Sequence, residues 1–533
     1  MTHYDFIIVG AGSAGCVLAD RLSADGQQVL VLEAGGQDDD MMVKIPALFA
    51  GMFQGPNDWN YNSDPEPGLF GRRVYLPRGK MLGGSSSMNA LIYMRGARED
   101  YDEWATGFGA TGWSYDDVLP YFIKSENNAD IQDEFHGTDG GLHVTTQRWV
   151  SPHAQSFVES AVEAGIERNS DFNGAQQAGT GMFQITAEDG KRCSAADAFL
   201  RPALERDNVE LITGATVRRV LLEGSRAVGV EYKRGGEVHT AAATREVVLS
   251  AGAYNSPNIL MLSGIGPAGH LREHGINVAV DLPNVGANLQ DHPLTLLHWA
   301  TSASDTLADL IDPTYMDQWL ADGSGKLSSN AAESAALWKS DPSLDRPDFQ
   351  IIFVPGFFWE HGMRRPAEGG MTIGLSYNGP SSRGSVRLRS ADPGVAPRIV
   401  SNLLSQQSEV DAVLRGIGLV DDIASRGPLA KVLGERLNPG QGTLDTAAWV
   451  RAETQHMYHA SCTARIGSAE DGVVDAELRV HGVDGLRVID ASVMPRIASG
   501  NTNAPTIMIG ERGADLMLGR SAAASSLATS ISA

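Results

Sequence analysis

Positive charge is scarce in this chain. Its 533 residues carry 42 Lys and Arg against 65 Asp and Glu, a formal net charge of −23. A surface this acidic repels phosphate backbones and anionic lipid, which argues against nucleic acid and membrane surfaces as partners. The acidity reads as a means of solubility. Cysteine is scarce too. Cys16, Cys193 and Cys462 are odd in number and far apart, with neither a disulfide framework nor metal-ligand spacing. A reducing cytoplasm fits. There is no stretch of about 18 apolar residues to span a bilayer. The opening MTHYDFIIVGAG lacks the basic region, apolar run and cleavage site of a signal peptide. The expectation is a soluble, cytoplasmic protein.

The chain is longer than one compact domain, so two are expected. Residues 4–9 form a short apolar run that reads as a buried parallel strand. A Gly-rich turn and a helical pattern follow, and then a second apolar strand over 29–32. This is one βαβ unit of an α/β fold. Residues 35–80 are irregular, and a segment that long is expected to wrap a ligand. Helices are expected over 113–126, opened by Ser114, over 152–164 and over 409–424. Residues 128–150 read as loop. Strands are expected over 209–213, 217–222, 227–232 and 247–250. Alternation over 349–354, 371–376 and 385–388 predicts an antiparallel sheet with one polar face. The apolar run 486–489 returns to the first sheet. The tail 521–533 is small and polar, and is expected to be disordered.

Chemistry enters at Gly10, Gly12 and Gly15, within VGAGSAG. Gly10 permits a tight turn, Gly12 lets the backbone approach a pyrophosphate, and Gly15 lets the helix sit close to the strand. Ser13 and Ala14 belong to the same loop, whose amides face the phosphates at a helix N-terminus. Glu33 closes the second strand, beside Ala34, and is placed to accept from a ribose hydroxyl. That acid disfavours NADP. The motif alone leaves NAD and FAD open.

Three further segments carry a resemblance. Residues 79–89 read GKMLGGSSSMN, residues 252–266 read GAYNSPNILMLSGIG, and HASCTARIG is followed by DASVMPRIASGNTNAPTIMIGERGADLM. In this order they resemble the glucose–methanol–choline (GMC) oxidoreductase family over residues 4 to 520, particularly its bacterial choline dehydrogenase-like and sorbose dehydrogenase branch. The resemblance implies FAD. It implies a Rossmann-like FAD-binding domain, here 1–155, 190–300 and 465–520. A discontinuous second domain on an antiparallel sheet with helices would comprise 156–189 and 301–464. Met81, Gly83, Ser87, Asn89 and Ala90 should lie along the cofactor, and Val217 near the adenine. Asp490 and Ala491 should approach the diphosphate and ribityl chain, and Asn501 and Thr502 the isoalloxazine. Met88 stands where choline oxidase carries a flavin-linking histidine, so non-covalent FAD is expected.

The resemblance further implies oxidation of a primary alcohol, polyol or sugar alcohol to the aldehyde, with hydride passing to flavin N5. A histidine base suits the hydroxyl proton. The match selects His459 as that base and Asn503 as its partner. Oxygen or a quinone-type acceptor would take the electrons. A lyase of the hydroxynitrile type on the same fold is the alternative. His292, in LQDHP, reads as fixing a turn, and Cys462 as a small buried residue. Glu333 reads either as a structural hydrogen-bond acceptor or as a contact to a cationic or hydroxyl-rich substrate.

Overall fold

The computed structural model describes residues 3–364, 369–440 and 442–520. Two seven-stranded sheets organise them. The expected tail, 521–533, lies outside the described residues.

The first sheet begins as the sequence predicts. His3–Val9 pairs in parallel with Val29–Leu32, and the helix Ser13–Ala24 connects them. Val209–Ile212 extends this parallel set on one side. On the other lies Glu237–Leu249, a 13-residue strand with two characters. Its C-terminal half pairs in parallel with His3–Val9 and with Leu486–Val488. Its N-terminal half pairs antiparallel with Arg226–Arg234, which in turn pairs with Thr216–Glu223. Val29–Leu32 and the C-terminal parts of the two other central strands, residues 6–9 and 247–249, are apolar throughout because helices cover both faces of a parallel sheet. One of these is the helix Asn503–Met517, which packs against Ser13–Ala24. Arg21 joins them through a paired contact to the buried Glu511, at 2.7 and 2.8 Å.

The second sheet is antiparallel, in the order Arg436–Asn438, Pro293–Ala300, Gly370–Tyr377, Phe349–Val354, Ser334–Trp338, Gly179–Met182. Some expectations change here. Residues 385–388 do not join it, since Gly384–Arg387 belongs to a separate three-stranded sheet. The face that carries Gln350, Thr372, Ser376 and His298 is the more polar one, as expected, but these side chains are buried. Phe349, Ile351 and Phe353 pack under the helices Pro152–Glu163 and Gln407–Ala424, while Ile352 and the partly buried Val354 point to the opposite side. Residues 293–300 and the start of the helix at 152, grouped by sequence with the first unit, pack with this sheet. The helix Gln407–Ala424 buries Val410, Val413, Ile417 and Val420 at three- and four-residue spacing. Each such side chain contributes about 1.5–3 kcal/mol.

The expected helix over 113–126 is Tyr115–Ser125, and Asp117 accepts from the backbone N–H of Ser114. The 128–150 loop holds one short strand, Leu142–Val144, paired in parallel with Glu126–Asn128. Residues 35–80 contain only short turns of helix and strand. Among the described residues, no helix is long and apolar enough to cross a membrane.

Candidate active site

One cavity of about 560 Å³ runs between the two sheets, a size ordinary for a ligand site. At one end it meets the βαβ unit. Gly10, Gly12, Ser13, Ala14, Glu33 and Ala34 line it there, with Val217 beside them. Asp490, Ala491, Asn89 and Ala90 also line it, Asn503 lines it beside Ser13, and Asn501, Thr502 and His459 line its far end. The structure thus brings together most of the residues singled out in the sequence.

Four do not reach the cavity, and each shapes a wall behind it. A Cβ on Gly15 would lie 1.9 Å from the Gly10 carbonyl oxygen, so the helix approaches the strand only with glycine there. Gly83 turns with a φ of +79°, Ser87 Oγ donates to the Leu82 carbonyl at 2.7 Å, and Met81 is fully buried. These three fold the 79–89 loop.

The near end fits a dinucleotide. Gly10 has a φ of +102°, and a Cβ there would strike the Ser250 carbonyl at 2.5 Å. A Cβ on Gly12 would meet no protein atom within 4 Å, so its backbone is open to the cavity. The Ser13–Ala24 and Asn503–Met517 helices both begin at the cavity wall, and their N-termini favour anionic groups. Glu33 accepts from the N–H groups of Ala11 at 2.9 Å and Gly35 at 2.7 Å. Each carboxylate oxygen keeps a second lone pair for a ribose hydroxyl. Burial raises the Glu33 pKa. Met88 lines the cavity and offers a thioether, which fits a flavin held without a covalent bond.

The far end is built from side chains distant in sequence. His459 Nδ1 lies 3.0 Å from His292 Nδ1, and His459 Nε2 lies 3.1 Å from Asn501 Nδ2. Gln350 Nε2 donates to Asn501 Oδ1 at 3.0 Å, which leaves the Asn501 amide nitrogen facing the histidine. His459 Nε2 is then an acceptor, and its proton sits on Nδ1, donated to His292. Burial, followed by the neighbouring His292, holds the His459 pKa down to about 3. The imidazole is therefore neutral.

Below it, the buried Asp291 accepts from the His459 backbone N–H at 2.8 Å and meets His456 Nδ1 at 3.1 Å. Burial opposes the Asp291 charge, but the bond to His456 and its charge hold this carboxyl below its ordinary pKa. His292 is thus more than a turn-fixing residue, because its ring touches the candidate base. Burial lowers its own pKa to about 4.

Asn503 makes its hydrogen bond away from His459. Its Oδ1 accepts from Ser13 Oγ at 2.7 Å, tying the last helix to the first loop. Asn501, two residues earlier, takes the position beside the imidazole. Cys462 is fully buried, and burial pushes its thiol up to about 12, as expected of an inert residue. Glu333 lies outside the cavity wall. It accepts from Ser329 Oγ at 2.6 Å and the Ser151 N–H at 2.8 Å, and burial raises it to about 7. Its structural reading is the one the geometry supports.

Asp291, Gln350 and Arg192 were not foreseen. The buried Arg192 donates to Asn89 Oδ1 at 2.6 Å, and to the Ser86 and Val43 carbonyls, fixing the cavity wall from behind. Asp291 adjoins His292 in the quoted LQDHP segment, which was its only signal. Gln350 and Arg192 gave none.

Known proteins share this architecture. Family models of the GMC oxidoreductases match residues 4–294 and 380–510. An oxygen-dependent choline dehydrogenase of Rhizobium etli is 41% identical over 97% of this chain and 96% of its own. An uncharacterized GMC-type oxidoreductase of Mycobacterium bovis is 43% identical over 97% and 99%. Among solved structures, pyridoxine 4-oxidase from Mesorbium loti superposes with a TM-score of 0.88 at 30% identity, covering 96% of this chain and 98% of that one. A formate oxidase of Aspergillus oryzae gives 0.91 at 27%, covering 97% and 98%. The chain belongs to the GMC oxidoreductase family, and is an FAD-binding enzyme that acts on CH–OH donors.

Proposed function

We propose that the protein oxidises a primary alcohol to the aldehyde, with His459 as the base and Asn501 as its partner. The observation that carries this is the 3.1 Å pairing of His459 Nε2 with Asn501 Nδ2 at the cavity wall. An alcohol oxygen set between them would lose its proton to the imidazole and receive a hydrogen bond from the amide. A neutral imidazole can accept a proton at Nε2 once the alcohol oxygen displaces the Asn501 amide from that lone pair. The amide donor stabilises the negative charge that develops on the oxygen. Asp291, behind the ring, offsets the positive charge His459 gains. FAD, when bound, supplies the acceptor for the hydride that leaves the carbinol carbon.

The cofactor contacts belong to the same reading. Gly12, Ser13 and Ala14 would hold the diphosphate and Glu33 the ribose, with Val217 at the adenine. Asp490 and Ala491 would border the ribityl chain, and Asn89, Ala90 and Thr502 the isoalloxazine. Asn503 acts as a brace through Ser13 and is not the partner of the base. Oxygen or a quinone-type compound would reoxidise the flavin. The word "oxygen-dependent" in the Rhizobium etli relative's name and the oxidase title of the pyridoxine enzyme favour the former. Three buried free thiols agree with a cytoplasmic location.

The test is anaerobic stopped-flow reduction of the holoenzyme by alcohol. His459→Ala should keep its FAD and reduce it roughly 10² to 10⁴ times more slowly, the usual worth of a positioned base. A parent rate in this variant would overturn the assignment. A flavin that no alcohol bleaches in the parent enzyme would favour the lyase alternative.

A further inference from the structure

Gln350 marks where the substrate end begins. Its side chain reaches Asn501, and on a β-strand residues two apart share a face. Ile352 and Val354 therefore continue the face that carries Gln350, and both line the cavity. Gly374 stands opposite Ile352 on one side and Leu296 on the other, so the sheet offers an apolar floor with a shallow place at the glycine.

Aromatic rings form the facing wall. Tyr458 precedes the base, and its ring lies 5.9 Å from Phe53. Phe49 bridges Phe53 and Phe358 at 6.0 and 5.9 Å. The Tyr458 hydroxyl is committed to His361 Nδ1 at 2.6 Å, which leaves the ring as its contribution to the cavity.

Charge decides what such a chamber takes. The carboxylates among the described residues lining the cavity are Glu33 and Asp490. Glu33 belongs to the βαβ end. Asp490 is filled by Ser256 Oγ at 2.5 Å and by the Gly252 and Ser492 N–H groups. Glu333 adjoins the lining residue Ala332, yet its carboxylate is bound to Ser329 and Ser151 and fully buried. Charge reaches His459 from two sides: Arg78, which lines the cavity, opposes a positive charge there, and the buried Asp291, behind the wall and already bound to His456 and to the His292 and His459 N–H groups, favours it more strongly. An ammonium placed here would be dehydrated with no unfilled carboxylate in this part of the wall to pair with.

Phenyl rings attract cations, but tryptophan does so best, and the one that lines the cavity, Trp59, stacks on Tyr61 under Lys80. A polyol would fare no better, since its extra hydroxyls would meet an apolar floor and lose their hydrogen bonds to water.

We infer that this enzyme selects neutral, apolar primary alcohols and discriminates against choline, although relatives at 41% identity carry choline in their name. The inference rests on the proposed alcohol oxidation. It turns on a pair of substrates of the same shape: choline, and 3,3-dimethylbutan-1-ol, in which carbon replaces the quaternary nitrogen. Each is mixed anaerobically with the holoenzyme, with glycerol as a third substrate, and the second-order rate of flavin bleaching is read. The neutral alcohol should bleach the flavin at least about tenfold faster than choline, and glycerol should be the slower of the neutral pair.

Equal rates, or choline faster, would overturn the inference while leaving alcohol oxidation standing. Bleaching by none of these, nor by hexanol or benzyl alcohol, would overturn both. Glu333→Gln in the same assay keeps shape and removes charge. An unchanged ratio of choline to its neutral analogue supports the inference, and a selective loss of choline turnover overturns it by making Glu333 the hidden cation site.

Discussion

The two ends of the cavity are built on opposite principles. The βαβ end uses backbone: amides of a contiguous loop, a glycine at φ +102°, and one carboxylate that grips two backbone N–H groups. The His459 end uses side chains drawn from residues 291, 292, 350, 456, 459 and 501, each oriented by the next. A backbone site tolerates change in most side chains, because few of them touch the ligand. A side-chain relay has no such slack, since each hydrogen bond fixes the proton position of its neighbour.

That contrast breaks most visibly at the two asparagines. Asn501→Ala should slow flavin reduction by roughly 10² to 10³, the effect of removing one preorganised donor. Asn503→Ala should leave the reduction rate within a few-fold, because it loses only the tie to Ser13. The reverse ranking in anaerobic stopped flow would restore Asn503 as the partner of His459.

The next effect lies at the other end. Glu33→Ala leaves two buried N–H groups unsatisfied and removes the ribose acceptor. A charged hydrogen bond is worth about 1.5–3 kcal/mol, so FAD affinity should fall roughly 10- to 100-fold. The flavin that remains bound should be reduced at the parent rate. Full FAD content after dialysis, or a slow intrinsic reduction, would show that the two ends are not separable.

Smaller still is the change expected at Gln350. It touches Asn501 and lies one contact away from His459. Gln350→Leu should slow reduction by about 2- to 10-fold, the net value of one neutral hydrogen bond. FAD affinity should not move. A loss as large as that of Asn501→Ala would mean that Gln350 meets the alcohol directly.

The smallest effect serves as a control outside both ends. His136 lies buried between Glu126, at 3.1 Å, and Asp171, at 3.0 Å. Burial opposes its charge, but the bonds to Asp171 and Glu126 raise its pKa from 6.5 to about 9. A group whose folded pKa is raised contributes stability in full below the unfolded pKa, and this is lost as pH rises through the folded one. Tm should therefore decline between pH 7 and 9, and His136→Gln should flatten that decline. Reduction rate and FAD affinity should stay unchanged. A slope identical to that of the parent would remove His136 as its source.

The same contrast explains what could be read from sequence. The phosphate loop was legible because its requirements fall on neighbouring residues. His459 was legible through its long surrounding motif. Asn501 and Asn503 were not separable, because both are asparagine in one short segment, GNTNAP. What sorts them is that Asn503 begins a helix lying on Ser13, a contact spanning 490 residues.

Residues 293–300 read as a strand of either sheet, since apolar residues suit both. The more polar face of the second sheet is buried because the cavity, and not solvent, lies against it. Gln350 was invisible, being one polar residue in a strand otherwise apolar.

The tie between Ser13 and Asn503 bears on how this enzyme is made. The phosphate loop leaves the ribosome first among the functional segments, but its brace, its last parallel strand at 486–488 and the Glu511 partner of Arg21 emerge only at the very end. A nascent chain can form the βαβ unit early and still lack both the far wall of the cavity and His459. The pocket for FAD is therefore completed only when distant segments of the sequence have folded onto one another.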